Sequence, residues 1–359
     1  MTQRNQPERH QNGPRSGADA GESTAPRGGA RELYLAGDIG GTKTILAVFP
    51  SDGDIREPLA EGTFRSRDYA DLESMAGEFL AGFNEPVHKA TFGVAGPVVE
   101  GRARITNLPW VLSEGDLAQA LDLDRVSLVN DLVSIANAIP ALGDEDVNVI
   151  KEGTPVRHGS IAVVAPGTGL GEAYLTWDGA DYRPFPSEGG HADFAPTTPE
   201  QLELLKFLLN GRDHCSYETV CSGIGIPNIY RFLKETGRAD EPADFAAEMA
   251  GTTEPTRLII DRFMDRRGTC PICDRTMELF ISILGAEAGN MALKVLAAGG
   301  VFLGGGIPAR LAPVLADGEF ARSFAGKGRF GDLVRDIPVS IIRNPRAALI
   351  GAARYAMAS

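Results

Sequence analysis

Nothing in the sequence approaches the run of roughly 18 apolar residues that crosses a bilayer, and its start holds no apolar stretch fit to act as a signal peptide. A cytoplasmic protein that stays off membranes is expected. Cysteine is scarce: Cys215, Cys221, Cys270 and Cys273 are too few and too uneven for the disulfide framework of a secreted domain, so reduced thiols are expected. Cys270 and Cys273 form a C-x-x-C, but tetrahedral zinc wants four ligands and His214 and Cys215 lie far off, so a half-buried helix start is the plainer reading. Positive charge is in deficit, with 35 Lys and Arg against 48 Asp and Glu and a formal net charge of −13. Such a surface is unsuited to nucleic acid phosphates or acidic lipid, which leaves small molecules as partners.

Two common nucleotide motifs are also missing. A P-loop needs G-x-x-x-x-G-K-[ST] opening a helix, but Thr42 stands where the last Gly belongs and Ile45 to Phe49 read as strand. The pattern G-x-G-x-x-G fails because Glu172 holds the last Gly position after Gly167 and Gly169.

What is present is a globular composition, 43% hydrophobic and 23% charged over 359 residues, enough for two domains and a cleft between them. Residues 1–31 carry almost no large apolar side chain and are expected to form a mobile tail. From Leu33 the order is α/β: strand, Gly turn and antiparallel strand, a helix near 70–82, a strand near 89–95, a helix near 113–121, and a strand from Val126 to Val129. A second strand, turn and strand follows at Ile161 to Trp177, as if one device were used twice. Residues 199–297 read as mostly helical, and the chain ends in an Ala-rich helix over 346–357.

Three glycine turns stand at strand ends. Asp38-Ile39-Gly40-Gly41-Thr42 can point backbone N–H groups at an anion, Thr42 adds a hydroxyl, and Asp38 is placed to hold Mg²⁺ through water. Gly167-Thr168-Gly169 repeats the chemistry, and Gly304-Gly305-Gly306 joins a buried strand to a helix. Each alone also reads as an ordinary turn; three together read as a polyphosphate grip.

These turns, with Thr106-Asn107-Leu108-Pro109-Trp110, Val129-Asn130-Asp131, Glu188-Gly189-Gly190-His191 and Glu218-Thr219-Val220-Cys221-Ser222-Gly223, resemble the bacterial glucokinase family of the hexokinase and actin-like ATPase superfamily. The resemblance implies a two-lobed ribonuclease H-like α/β fold with a cleft between a small domain, 32–141, and a large one, 142–345. The large domain would carry the helical insertion, and the last helix, 346–359, would return to the small domain. It implies ATP and Mg²⁺ as cofactors, with ATP phosphates on Asp38, Gly40, Gly41, Thr42, Gly167, Thr168 and Gly169, and adenosine beside Gly304, Gly305 and Gly306. The hexose would meet Asn107, Asn130, Asp131, Glu188, His191 and Glu218, with Asp131 as catalytic base. Homodimers are common in the family.

The residue types suit a polyol, whose hydroxyls each donate and accept. The competing readings are plain ones: a helix N-cap for Asp131, a surface loop for Glu188 with His191 capping Asp193 or a backbone group, a helix-dipole contact for Glu218, and an ordinary turn for Asn107, which with Trp110 could instead form a lip over the sugar. At the level of function the alternatives are a kinase of another hexose or amino sugar, a sugar-responsive regulator, and an actin-like ATPase. The regulator lacks a DNA-binding module before Leu33, and the ATPase has no need of the sugar-type cluster.

Overall fold

The structure, a computed structural model, describes residues 31–105 and 108–359. The expected tail lies outside these residues up to position 30, as does Asn107.

Strand β1 (Leu33–Ile39) turns at Gly40 and pairs antiparallel with β2 (Lys43–Pro50), which pairs with β3 (Ala60–Arg65). After helix α1 (Leu72–Leu80), strand β4 (Val87–Val94) lies parallel to β1. A small antiparallel sheet follows, β5 (Val98–Val99), β6 (Arg102–Arg104) and β7 (Val111–Ser113), then α2 (Glu114–Ala120). Strand β8 (Arg125–Asn130) lies parallel to β4 and closes the first sheet in the order β3-β2-β1-β4-β8. Leu33, Leu35 and Ile39 of β1 pack with α1 residues Leu72, Met75 and Ala76 on one face, as period-two alternation requires. Trp110 is buried in this same core, so it is a packing residue and not the lip that its sequence position suggested.

Helix α3 (Asp131–Ala138) leads to β9 (Val147–Lys151), and then the plan repeats. Strand β10 (Ile161–Pro166) pairs antiparallel with β11 (Leu170–Trp177) and β11 with β12 (Tyr182–Ser187). The helices α4 (Pro199–Leu208), α5 (Gly225–Glu235), α6 (Ala243–Gly251), α7 (Pro255–Asp265) and α8 (Pro271–Lys294) come next. Strand β13 (Gly300–Leu303) runs parallel to β10; after α9 (Gly306–Leu315), α10 (Glu319–Ala325) and α11 (Gly331–Arg335), β14 (Val339–Ile342) runs parallel to β13. The second sheet reads β12-β11-β10-β13-β14-β9. Its first five positions match the first sheet strand for strand, so the device used twice extends well beyond the two turns. Cys270 and Cys273 are fully buried at the start of α8, their sulfurs 2.8 Å apart; burial is complete there, not half. Among the described residues no helix is long and apolar enough to cross a membrane.

The Ala-rich end of the chain is α12 (Ala347–Ala358). Small side chains let it come close to its neighbours: Leu349, Ala352 and Ala353 pack on Ala36, Ala47 and Phe49 of β1 and β2. Its other neighbour is α3, joined by Ser134 Oγ donating to the Ala348 carbonyl at 2.7 Å and Asn137 Nδ2 to the Gly351 carbonyl at 2.8 Å. A β-carbon on Gly351 would overlap the Ser134 carbonyl oxygen. Gly351→Ala is therefore expected to destabilise the protein by roughly 1–3 kcal/mol, as overpacking against rigid backbone does. Urea unfolding checks this, and an unchanged midpoint would show that the helix pair has room to part.

Helix α3 is the pivot of the arrangement. Its residues Leu132, Ala136 and Ala138 also pack with Ile161, Val163, Ala173 and Leu175 of the second sheet. The first residue of α3 thus stands between the two sheets.

Candidate active site

Asp131 occupies that first position. The preceding residue, Asn130, is the N-cap: its Oδ1 accepts from Leu132 N at 2.9 Å and Val133 N at 3.4 Å, and its Nδ2 donates to the Gly96 carbonyl at 3.1 Å. The capping role that competed for Asp131 therefore belongs to Asn130, whose amide keeps one further N–H to offer. Asp131 Oδ1 accepts from Leu132 N at 2.8 Å. Burial nonetheless raises the pKa of the Asp131 carboxyl, outweighing the backbone N–H groups that favour its charged form.

Asp38 sits at the end of β1, the one residue of that strand that is not fully buried. Its pKa is pushed up to about 6, first by burial and then by the negative charge of Asp131, with Lys43 opposing. Lys43 itself is exposed at the start of β2. The turn beyond Asp38 is braced from below by a residue that sequence reasoning missed. Ser66 Oγ donates to the Gly40 carbonyl at 2.7 Å and lies 3.0 Å from Thr44 Oγ1, and Ser66 N donates to the Thr42 carbonyl at 3.1 Å. A β-carbon on Gly40 would lie 2.8 Å from the Lys43 carbonyl oxygen, so only Gly fits this tight turn.

The other two glycine turns meet one another. Gly305, at φ +87°, would place a β-carbon 2.9 Å from the Pro166 carbonyl oxygen, beside Gly167. Gly223 N donates to the Gly167 carbonyl at 2.7 Å and Ile224 N to that of Thr168 at 3.3 Å. Glu218 belongs to this neighbourhood and not to a helix start: its Oε2 accepts from Leu170 N at 2.9 Å.

A cavity of about 500 Å³ brings Asn130, Asp131 and Glu188 together with Pro97, Ser187 and Tyr355. His191 and Glu218 are outside its lining and are held near it by the chain. His191 N donates to the Glu188 carbonyl at 3.0 Å, and Glu218 N to the Gly190 carbonyl at 2.8 Å. The partner of Asp193 is His214, at 2.9 Å, and not His191. Tyr355, from the last helix, carries no sequence signal of its site position, because only the packing of α12 brings it there.

The acids impose a pH dependence whose sign is fixed. Activity that needs Asp131 and Asp38 ionised falls as pH drops through their raised pKa values, that of Asp38 being about 6. Stability runs the other way: a carboxyl with a raised pKa contributes stability that is full below its unfolded value and is lost as pH rises through the folded one. Asp38→Asn is therefore expected to melt higher than the unmodified chain at pH 7.5 and nearly with it at pH 4. Equal melting differences at both pH values would contradict the assignment.

Known proteins share the fold that carries these paired strands and glycine turns. A family model described as Glucokinase matches residues 35–359. The glucokinase of Nostoc punctiforme is 40% identical over 335 residues, covering 89% of this chain and 98% of that protein. That of Synechocystis is 39% identical over 344 residues, covering 89% and 96%. Among solved structures, a glucokinase from an Antarctic psychrotroph superposes with a TM-score of 0.79 at 32% identity, covering 91% of this chain and 99% of that one. A glucokinase from Streptomyces griseus in complex with glucose and AMPPNP shares the fold, with a TM-score of 0.60 at 19% identity and coverage of 91% and 100%. The matches run through both sheets and through every glycine turn described above, and on them the chain belongs to the glucokinase family.

Proposed function

We propose that this member of the glucokinase family phosphorylates glucose at its 6-hydroxyl, with Asp131 as the base and ATP as the phosphoryl donor. The observation that carries the reading is the meeting of two acids between the sheets: Asp131 at the head of α3 and Asp38 at the end of β1, each held above the ordinary carboxylate range. Asp131 takes the proton from the 6-hydroxyl as its oxygen bonds to the γ-phosphorus. The bond from that phosphorus to the β,γ-bridging oxygen breaks, and ADP leaves with the electron pair. A base whose pKa lies nearer the working pH suits this step.

Most of the acceleration comes from alignment and from stabilising spread charge. The turns at Gly40–Thr42 and Gly167–Gly169 offer backbone N–H groups and hydroxyls to phosphate oxygens, and Gly304–Gly306 gives the adenosine a flat backbone approach. On the sugar side, Glu188 accepts from hydroxyl donors, Asn130 donates its remaining N–H, and His191 and Glu218 follow as the loops that carry them close. Asn107 belongs to the same proposal. The residues fit Mg²⁺: Asp38 faces a second carboxylate, with Lys43 opposing, so a divalent ion would relieve that repulsion. When bound, it would neutralise charge on the phosphates. Small and large domains at 32–141 and 142–345 with 346–359 returning to the first, a cytoplasmic location and a homodimer complete the proposal.

The sugar specificity is tested by an ATP-coupled assay over glucose, mannose, fructose, glucosamine and N-acetylmannosamine. Glucose is expected to give the highest kcat/KM. A higher value for any other sugar would transfer the proposal to that epimer or amino sugar, since a buried polar group left unpaired penalises the wrong hydroxyl pattern severely.

A further inference from the structure

The residue that breaks the G-x-G-x-x-G pattern is the most unusual acid in the molecule. Glu172 lies on β11 and is 1% exposed, and no hydrogen-bond donor among the described residues reaches either of its carboxyl oxygens. Facing it is Glu287 of α8, also fully buried. The two are not equivalent. Glu287 Oε1 accepts from Lys294 Nζ at 3.1 Å and its Oε2 from Asn290 Nδ2 at 2.8 Å. Glu172 faces Glu287 and, among the described residues, has no donor. Two acceptors cannot bond one another, so an ionised Glu172 would leave a buried charge without a partner, a costly state. A proton on Glu172 resolves this, because the acid then donates to Glu287.

Above Glu172 lies the sugar loop. A β-carbon on Gly189 would overlap Glu172 Oε2, so the loop backbone rests directly on this carboxyl. Gly189 N is held by Ser187 Oγ at 3.0 Å, and Ser187 is the cross-strand partner of Glu172. We propose that Glu172 and Glu287 share one proton as an acid–carboxylate pair, and that this pair is the positioning element that seats Gly189 and so holds Glu188 in the sugar pocket and His191 beside it. The proposal rests on the hexose-kinase reading of that pocket.

Burial, and then the charge of Glu287, push the pKa of Glu172 up to about 8, with Lys294 opposing. The other titratable and charged groups around the pair are Tyr217 and Cys221 from the segment after α4, and Lys327, whose Nζ donates to Asn290 Oδ1 at 2.6 Å. Glu172 itself borders the sugar cavity, together with Asp131 and Glu188. Loss of the shared proton to solvent leaves two facing carboxylates. Glu172 then relieves the repulsion by swinging toward the cavity, and Gly189 is in the way.

The test measures glucose affinity by calorimetry and melting temperature without sugar, both from pH 5 to pH 9, for the unmodified chain, Glu172→Gln and Glu287→Gln. With a competent fraction set by a pKa near 8, the affinity of the unmodified chain falls by about tenfold between pH 7 and pH 9. Glu172→Gln keeps a donor toward Glu287 without an ionisation, so its affinity stays level over that range. Glu287→Gln removes the repelling charge and offers an amide donor to ionised Glu172, so its affinity also stays level over that range. In melting, the raised acid contributes stability that is present below about 4.5 and lost as pH rises through about 8, so Glu172→Gln gains on the unmodified chain as pH rises. Parallel affinity profiles for the unmodified chain and both variants would overturn the positioning role. Parallel melting profiles would overturn the shared proton. If the unmodified chain binds neither glucose nor any other sugar of the assay panel even at pH 6.5, the hexose reading fails, and the positioning role with it, while the melting profiles still decide whether the proton is shared.

Discussion

Asp131→Asn is expected to lower kcat by about 10² to 10⁴ while changing glucose affinity little. The amide keeps the size of the carboxylate and can still hydrogen-bond a hydroxyl, but it cannot take up the proton that leaves as the phosphorus–oxygen bond forms. Binding measured by calorimetry and turnover measured by ADP release separate the two effects. The helix start should survive the change, because Asn130 and not Asp131 supplies the cap. The substitution also removes a charge that raises Asp38, so the residual activity should hold to lower pH than in the unmodified chain. Turnover within threefold of normal would remove Asp131 from the mechanism.

Gly190→Ala is expected to cost on the order of 10² in kcat/KM, the scale of loss that follows a displacement of about 1 Å at a site needing alignment. Its β-carbon would overlap the carbonyl oxygen of Leu170, a backbone atom fixed in the pairing of β11 with β10, so the loop has to yield. Three polar groups move with it: Glu188 and His191, which flank the glycine pair, and Glu218, whose N–H is bonded to the Gly190 carbonyl. Gly77→Ala in α1, where nothing lies within 4 Å of the added carbon, is the control and should be active. A folded Gly190→Ala protein with normal kcat/KM would show that the sugar loop is looser than described.

The sequence was most readable where chemistry and backbone geometry coincide. The glycine turns after β1 and β10 could be read from residue type alone, because a tight turn between apolar runs leaves few alternatives, and both strand pairs are where those runs placed them. The strand that ends just before Asp131 was legible from its apolar run. What the sequence withheld depends on long-range packing. Ser66 reaches the Gly40 carbonyl from 26 positions away, and serine in a polar stretch gives no hint of that. Tyr355 reaches the site only because α12 returns to α3. Trp110 read as a lip because the sequence does not show that the chain entering β7 turns this side chain into the core. Glu172 was visible only as a pattern breaker; its burial follows from α8 packing on the second sheet and bringing Glu287 to it, and no local periodicity encodes that.

The central claim is that a carboxylate at the head of α3 lies within proton-transfer reach of the hydroxyl that becomes phosphorylated. A crystal structure of the chain with glucose and a non-hydrolysable ATP analogue measures this directly. The account predicts an Asp131 carboxylate oxygen at about 2.6–3.2 Å from the 6-hydroxyl oxygen, on the side facing the γ-phosphate. A sugar bound with its 6-hydroxyl against another residue, and Asp131 turned to Lys43 or to solvent, would contradict it.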